Sequence, residues 1–326
     1  MELQIVPESW PLRGEFRISR GARTTAEVVV AELHDGEFSG RGECSPNVRY
    51  DESVSSVTET LLALRDEVAA GLDRNALQTR MPPGAARNAL DCAFWDLEAK
   101  RAGRRVWELA SLSEPRPVTT AYTLSLNSAD VVRDQAAANA ERPLLKIKLG
   151  GDGGDLERVA AVREGAPAAK LIVDANEAWN AEQFSELASA LATLGVSMIE
   201  QPLPAADDAA LADLHRPLPI CADESCHDRS SLPHVVGRYD MINIKLDKSG
   251  GLTEALLLRQ AAEAAGLGIM VGCMLGTSLA MAPAQLVAQG LEIVDLDAPL
   301  LLAEDREPGL AADDTQISPS TSELWG

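Results

Sequence analysis

The sequence predicts a mixed α/β protein, in which a parallel (β/α) barrel follows a smaller α+β unit. Three observations carry that expectation. The first fifty residues have the β-branched, apolar texture of strands, and the next sixty repeat apolar residues three and four apart. The remainder alternates short apolar runs with Ala-rich helical segments at a near-constant pitch.

From Ile5 to about Arg49, TTAEVVVAEL and its neighbours read as an antiparallel meander, with Gly36, Gly40 and Gly42 as turn punctuation. From Glu52 to about Ala110 the period becomes helical, in SVTETLLALRDEVAAGL and in AARNALDCAFWDLEAKRAG. After Pro115 and Pro117 come VTTAYTL, LLKIKLG, LIVDAN, SMIEQPL, PICADES, MINIKLD, GIMVGCM and EIVDLDAP. Their polar landmarks Lys148, Asp174, Glu200, Asp223, Lys245, Gly272 and Asp295 recur every 22 to 27 residues, one βα unit per step. So even a pitch suits a closed barrel better than an open sheet. The division expected is an α+β unit over 1–115, a barrel over 116–300, and a segment over 301–326 that packs back on the first unit.

The net charge of −21 disfavours nucleic acid and anionic membranes as partners. No window approaches the roughly 18 apolar residues that span a bilayer, and the start MELQIVPESWPLRGEF has no basic-then-apolar leader, so a cytoplasmic protein is expected. Five scattered cysteines without CxxC spacing are expected as free thiols.

In six of the eight runs a charged residue follows the apolar stretch, at the strand end where barrel enzymes build their sites. Asp174, Glu200 and Asp223 stand on three consecutive strands and offer the hard oxygen donors that Mg²⁺ takes, one ion per subunit with Mn²⁺ as a substitute. Lys146 and Lys148, two apart, share the inward face of one strand. Lys245 comes four strands later, diametrically opposite in an eight-stranded ring. Burial among apolar and cationic neighbours is expected to lower these lysines into the range of a general base. Two bases on opposite faces of one carbon, beside a metal, describe 1,1-proton transfer through an enediolate. Lys146 and the metal would carry the developing charge. On the eighth run, Asp295 and Asp297 at a spacing of two form a second anionic site that calls for a cation on the substrate.

In that order, KIKLG, DANEAW, IEQPL, CADES and NIKLDKSGGLTEA resemble the enolase superfamily in its muconate-lactonising branch, and ARNALDCAFWDL resembles the branch's interdomain helix. The resemblance runs nearly the full chain. It implies a modified TIM barrel, (β/α)7β, with an N-terminal α+β capping domain. It further implies Asp174, Glu200 and Asp223 as metal ligands, Lys148 and Lys245 as the acid/base pair, Lys146 on the substrate carboxylate, and Glu224 behind the ligands. The branch includes cycloisomerases, o-succinylbenzoate synthases and N-acylamino acid racemases, and a non-catalytic metal-containing binding protein is the alternative outside enzymes. VDLDAP resembles the DxD of dipeptide epimerases, whose carboxylates bind a dipeptide ammonium. The segments together look closest to epimerases of L-Ala-D-Glu and L-Ala-L-Glu in murein peptide recycling. The distal Glu carboxylate would then need a capping-domain cation, from Arg17, Arg20, Arg23 and Arg49, with Arg20 or Arg23 favoured. Residues 13–25 and 45–51 are expected to close over the mouth. A homo-oligomer is expected from the resemblance alone.

Overall fold

The computed structural model describes residues 1–313 and 315–326. The N-terminal unit is an antiparallel sheet of β1 (Glu2–Ile18), β2 (Gly21–Asp35) and β3 (Phe38–Cys44), followed by helices α1 (Val54–Leu62), α2 (Arg65–Ala69), α3 (Arg74–Arg80) and α4 (Ala85–Ala102). Of the three glycines read as turn residues, only Gly36 turns the chain, with φ of 63° between β2 and β3. Gly40 and Gly42 lie inside β3. A Cβ on Gly40 would sit 2.3 Å from the Ala93 carbonyl oxygen, and one on Gly42 would sit 2.1 Å from that of Ala89. These two glycines let α4 rest on the strand backbone, which is a close-approach role rather than a turn role.

Helix α4 is buried on nearly all sides because it has two partners, the sheet on one face and the barrel on the other. Toward the barrel, Arg87 donates to the Ser249 and Gly250 carbonyls at 2.6 and 3.1 Å, Asn88 donates to Asp247 at 2.9 Å, and Asp91 accepts from the Thr253 N–H at 2.9 Å. Polar groups on an otherwise apolar helix thus find fixed acceptors and donors, which sets its position.

After a short strand β4 (Val118–Thr119), eight parallel strands follow: β5 (Tyr122–Leu124), β6 (Leu144–Lys148), β7 (Lys170–Asp174), β8 (Val196–Glu200), β9 (Ile220–Ala222), β10 (Met241–Ile244), β11 (Gly268–Gly272) and β12 (Ile293–Asp295). They pair in sequence order from β5 to β12. The seam between β12 and β5 is joined by the Ala121 N–H donating to Val294 O at 2.7 Å and by the Leu296 N–H donating to the Thr120 hydroxyl at 2.9 Å. Helices α5 (Ala129–Ala138), α6 (Asp155–Gly165), α7 (Ala181–Thr193), α8 (Leu252–Ala264) and α9 (Ser278–Ala288) cover the outside, with shorter helical turns after β8 and β9. This is the mixed α/β fold expected, a near-closed barrel with an antiparallel cap.

The C-terminal segment returns along the molecule. Gln316–Ile317 pairs with β4, the Trp325 indole N–H donates to Cys92 O at 3.1 Å, and the Gly326 N–H donates to Asp96 at 2.7 Å. All five cysteines are free. Among the described residues no helix is long and apolar enough to cross a membrane.

Candidate active site

The barrel interior is layered by the period of two along each strand. Ala121, Leu144, Ile172, Met198, Cys221, Met270 and Ile293 form one apolar, fully enclosed layer. Two residues further along come Thr123, Lys146, Asp174, Glu200, Asp223, Gly272 and Asp295, of which Asp174, Glu200, Gly272 and Asp295 end their strands and Asp223 lies just past the end of β9. An apolar floor under a polar layer removes water from below, so charges in that layer must satisfy one another or a ligand. Above it lies a pocket of about 460 Å³, lined from the barrel by Lys146, Lys148, Asp223, Glu224, Lys245, Asp295 and Asp297, and from the cap by Phe16, Ile18, Arg20, Arg23, Asn47, Arg49 and Tyr50. Both cap segments expected over the mouth contribute.

One oxygen from each of Asp174, Glu200 and Asp223 lies within 4.8 Å of the others, and all three residues are buried. The cluster and the lysines around it form one ionic network. Lys148 Nζ donates to Asp174 Oδ2 and Lys245 Nζ to Asp223 Oδ2, each at 2.7 Å. Lys146 Nζ lies 2.7 Å from Asp295 Oδ2, 3.2 Å from Asp174 Oδ2 and 2.6 Å from Glu200 Oε2. The last contact is an ion pair without hydrogen-bond alignment, since Glu200 Oε2 has no hydrogen-bond partner among the described residues.

Lys146 and Lys245 do not have the lowered pKa expected from the sequence. Burial pushes Lys146 and Lys245 down, but Asp295, Glu200 and Asp174 around the first, and Asp223 and Glu200 around the second, outweigh it and hold both well above the ordinary lysine range. Sequence pattern showed the cationic neighbours and the burial; it did not show that every ammonium would reach a carboxylate. Burial raises the Glu200 carboxyl, helped by Asp174, whereas at Asp174 and Asp223 burial is overcome by the neighbouring lysines and the carboxyls are lowered.

Strand β12 ends at Asp295, and Asp297 lies beyond it in helical backbone, so the two do not share a strand face as expected. They reach the same pocket because the chain turns there. Their surroundings differ. Asp295 is paired with Lys146, whereas Asp297 accepts the Thr123 N–H at 2.6 Å and has no ion-pair partner among the described residues. Burial, with Asp295 adding to it, raises the Asp297 carboxyl to about 7.

Of the capping-domain arginines, Arg17 pairs with Glu15, and Arg49 forms a two-pronged pair with Glu177 at 2.6 and 2.7 Å. Arg20 donates to Asn176 O, to Glu177 and, at 2.6 Å, to Glu224. Arg23 lines the pocket, and among the described residues its guanidinium has no hydrogen-bond or ion-pair partner. Glu224 is buried, and burial together with Asp223 and Asp174 raises it to about 7.

Sequence reasoning missed Lys248 and Asn243. Lys248, on the helical turn Leu246–Ser249, is buried and donates to Asp223 Oδ1 at 2.6 Å, Asp223 O at 2.5 Å and Asn243 O at 3.0 Å. Asn243 donates to Glu200 Oε1 at 2.7 Å. The signal available was the spacing of three from Lys245 to Lys248, one helical turn, and the period of two from Asn243 to Lys245.

Comparison with known proteins follows the same two-part division. Residues 1–110 match the model of the mandelate racemase / muconate lactonizing enzyme N-terminal domain, and residues 131–314 match the enolase C-terminal domain-like model. The chain is 48% identical to the L-Ala-D/L-Glu epimerase of Escherichia coli K12 over 94% of its own length and 96% of that protein's. It is 44% identical to the N-acetyl-D-glutamate racemase of a Pseudoalteromonas species, over 92% and 95%. Among solved structures, an enolase family member from Agrobacterium tumefaciens with homology to dipeptide epimerases, holding sodium and L-Ala-L-Glu, is 53% identical. It has a TM-score of 0.98, with 99% of both chains covered.

Proposed function

The chain belongs to the enolase superfamily, in its mandelate racemase and muconate lactonizing branch, and is an isomerase of the epimerase and racemase kind; on that premise we propose that it epimerises the Glu residue of L-Ala-D-Glu and L-Ala-L-Glu, in murein peptide recycling. Lys148 and Lys245 are the acid/base pair; the carboxylates that raise Lys245, Asp223 and Glu200, are two of those offered to a cation, which would offset their effect. The two lysines line one pocket from strands on opposite sides of the barrel, so the α-carbon of a substrate between them meets one ammonium or amine on each face. One removes the α-proton and the other returns a proton to the opposite face, so the centre inverts.

Asp174, Glu200 and Asp223 fit Mg²⁺: the donor set is all oxygen, it converges within 4.8 Å, and Glu200 Oε2 is buried with no hydrogen-bond partner among the described residues. Bound there, Mg²⁺ supplies Lewis-acid stabilisation of the substrate carboxylate as it gains charge. Lys146, fixed by three carboxylates, adds a localised positive charge beside the same group. Phe16, Ile18 and Tyr50 from the cap exclude water above it. Arg23, whose guanidinium is unengaged among the described residues, meets the distal Glu carboxylate in preference to Arg20, which is held by Glu177 and Glu224.

The observation that carries the dipeptide reading is Asp297, a buried carboxyl that among the described residues has no cationic partner while its neighbour Asp295 has Lys146. The α-ammonium of an N-terminal Ala supplies that cation. A second reading comes from the Pseudoalteromonas relative. N-acetylglutamate and L-Ala-Glu are both N-acylated glutamates, and they differ at this site by the ammonium and one methyl group. Proton NMR in D₂O with Mg²⁺ separates the two. Exchange of the Glu α-proton of L-Ala-L-Glu with appearance of the L,D epimer, lost on chelation, supports the dipeptide reading. Turnover of N-acetyl-L-glutamate alone replaces it with the second.

A further inference from the structure

Each of the three clustered carboxylates has one oxygen held by the scaffold and one turned toward the pocket lysines. Asp174 Oδ1 accepts the Asn176 N–H at 2.9 Å, Glu200 Oε1 accepts Asn243 Nδ2 at 2.7 Å, and Asp223 Oδ1 accepts Lys248 Nζ at 2.6 Å. The second oxygens, Asp174 Oδ2, Glu200 Oε2 and Asp223 Oδ2, face Lys148, Lys146 and Lys245. Those three lysines line the pocket, whereas Asn243 and Lys248 do not. Two populations of donors therefore divide the six oxygens evenly.

The scaffold donors have little freedom. Asn243 is fully buried, and a Cβ placed on Gly272 would be 2.7 Å from its side-chain oxygen, so the amide is wedged against bare backbone on the next strand. Lys248 spends its three N–H bonds on Asp223 O, Asp223 Oδ1 and Asn243 O. Two of these chelate Asp223 between main chain and side chain and lock its rotamer. The third ties Lys248 to the strand that carries Asn243, so one element, β10 with its following turn, orients two of the three carboxylates.

We propose that Asn243 and Lys248 are positioning residues that hold Glu200 and Asp223 to one free oxygen each, and thereby select a small octahedral cation, Mg²⁺, over a larger one such as Ca²⁺. The inference rests on the metal reading above and deepens it. Mg²⁺ demands near-ideal octahedral geometry and takes carboxylates one oxygen at a time, whereas Ca²⁺ accepts six to eight ligands and two-oxygen carboxylates. A carboxylate whose other oxygen is pinned cannot rotate to offer both. Partners behind metal ligands are commonly worth about 10- to 100-fold in affinity.

The test is calorimetric titration of MgCl₂ and CaCl₂ into metal-stripped full-length protein, comparing wild type with Asn243→Leu and Lys248→Met. Asn243→Leu is nearly isosteric and uncharged. It should weaken Mg²⁺ about 10-fold or more, weaken Ca²⁺ less, and so lower the Mg²⁺/Ca²⁺ preference, with the melting temperature in EDTA little changed. Lys248→Met adds a test of sign. If Lys248 were only a nearby positive charge, its removal would tighten both ions; as a positioning residue, its removal weakens Mg²⁺. Raising Mg²⁺ to saturation should recover turnover in Asn243→Leu. If wild type binds Mg²⁺ and Asn243→Leu binds both ions as wild type does, this inference fails while the metal reading stands. If wild type binds no Mg²⁺, both fail. Should Lys248→Met not fold, Asn243→Leu and the smaller Asn243→Ala decide the matter.

Discussion

Asp297→Asn isolates one charge at constant shape, and the structure sets what it should cost. Asp297 is 4% exposed and accepts the Thr123 N–H, which an Asn carbonyl oxygen can also do, so the substitution removes the negative charge and little else. Truncating one partner of a buried, hydrogen-bonded charge pair costs about 2–5 kcal/mol, so kcat/KM for L-Ala-L-Glu should fall about 30- to 5000-fold. N-acetyl-L-glutamate has no ammonium, and its kcat/KM should be unchanged or improved. Wild type provides an independent check. With its carboxyl raised to about 7 by burial and Asp295, Asp297 is ionised in only about a tenth of free molecules at pH 6. The ionised form meets the ammonium, so kcat/KM for the dipeptide should fall roughly tenfold per unit below pH 7. Glu224 is also raised to about 7, so the diagnostic quantity is the ratio between the two substrates, in which any contribution shared by both cancels. The assay is proton NMR or polarimetry across pH 5 to 9. A ratio that is flat with pH, or an Asp297→Asn variant that retains dipeptide turnover, would refute the reasoning.

Three further outcomes follow from other parts of the molecule. Lys148→Ala and Lys245→Ala should each abolish epimerisation, with at least one still exchanging solvent deuterium into a single epimer of the dipeptide; full epimerisation by either contradicts a two-base mechanism. Arg23→Gln should raise KM about 10- to 100-fold for L-Ala-L-Glu, the loss of a partly exposed charge-assisted pair, while leaving L-Ala-L-Gln nearly unaffected. Burial raises the Asp247 carboxyl at the cap–barrel interface to about 7, although Ser45 N–H and Asn88 hydrogen bonds oppose the rise. A carboxyl raised on folding binds protons more tightly in the folded state, so it subtracts stability as pH rises from about 4 to about 7. Asp247→Asn should gain stability over wild type across that window, up to about 4 kcal/mol, and level off above it in thermal melts.

The barrel was legible because its periodicities are local. A short apolar run, followed by a charge in six of eight cases and repeated every 22 to 27 residues, specifies strand, direction and which end carries the polar side chains. The candidate site residues came out of the same pattern, since alternation along a strand places Lys146 two residues above Leu144 and Asp174 two above Ile172 whatever the helices outside do. Gly40 and Gly42 were misread because glycine in a strand and glycine in a turn look alike in sequence, and only the approach of α4 tells them apart.

What the sequence by itself determined is therefore the fold class, the mouth of the barrel and the roster of charges placed there. Tertiary structure alone decided how those charges pair. It set Lys146 against three carboxylates, left Asp297 without a cation and Arg23 unengaged among the described residues, engaged Arg20 and Arg49, and brought Lys248 and Asn243 behind the carboxylates. The physical reason is range. Strand periodicity is written over a few consecutive residues. An ion pair between residues 149 or 157 positions apart depends on how strands, cap and loops close in space, and a shift of one or two ångströms there changes which partner is reached and which proton is held.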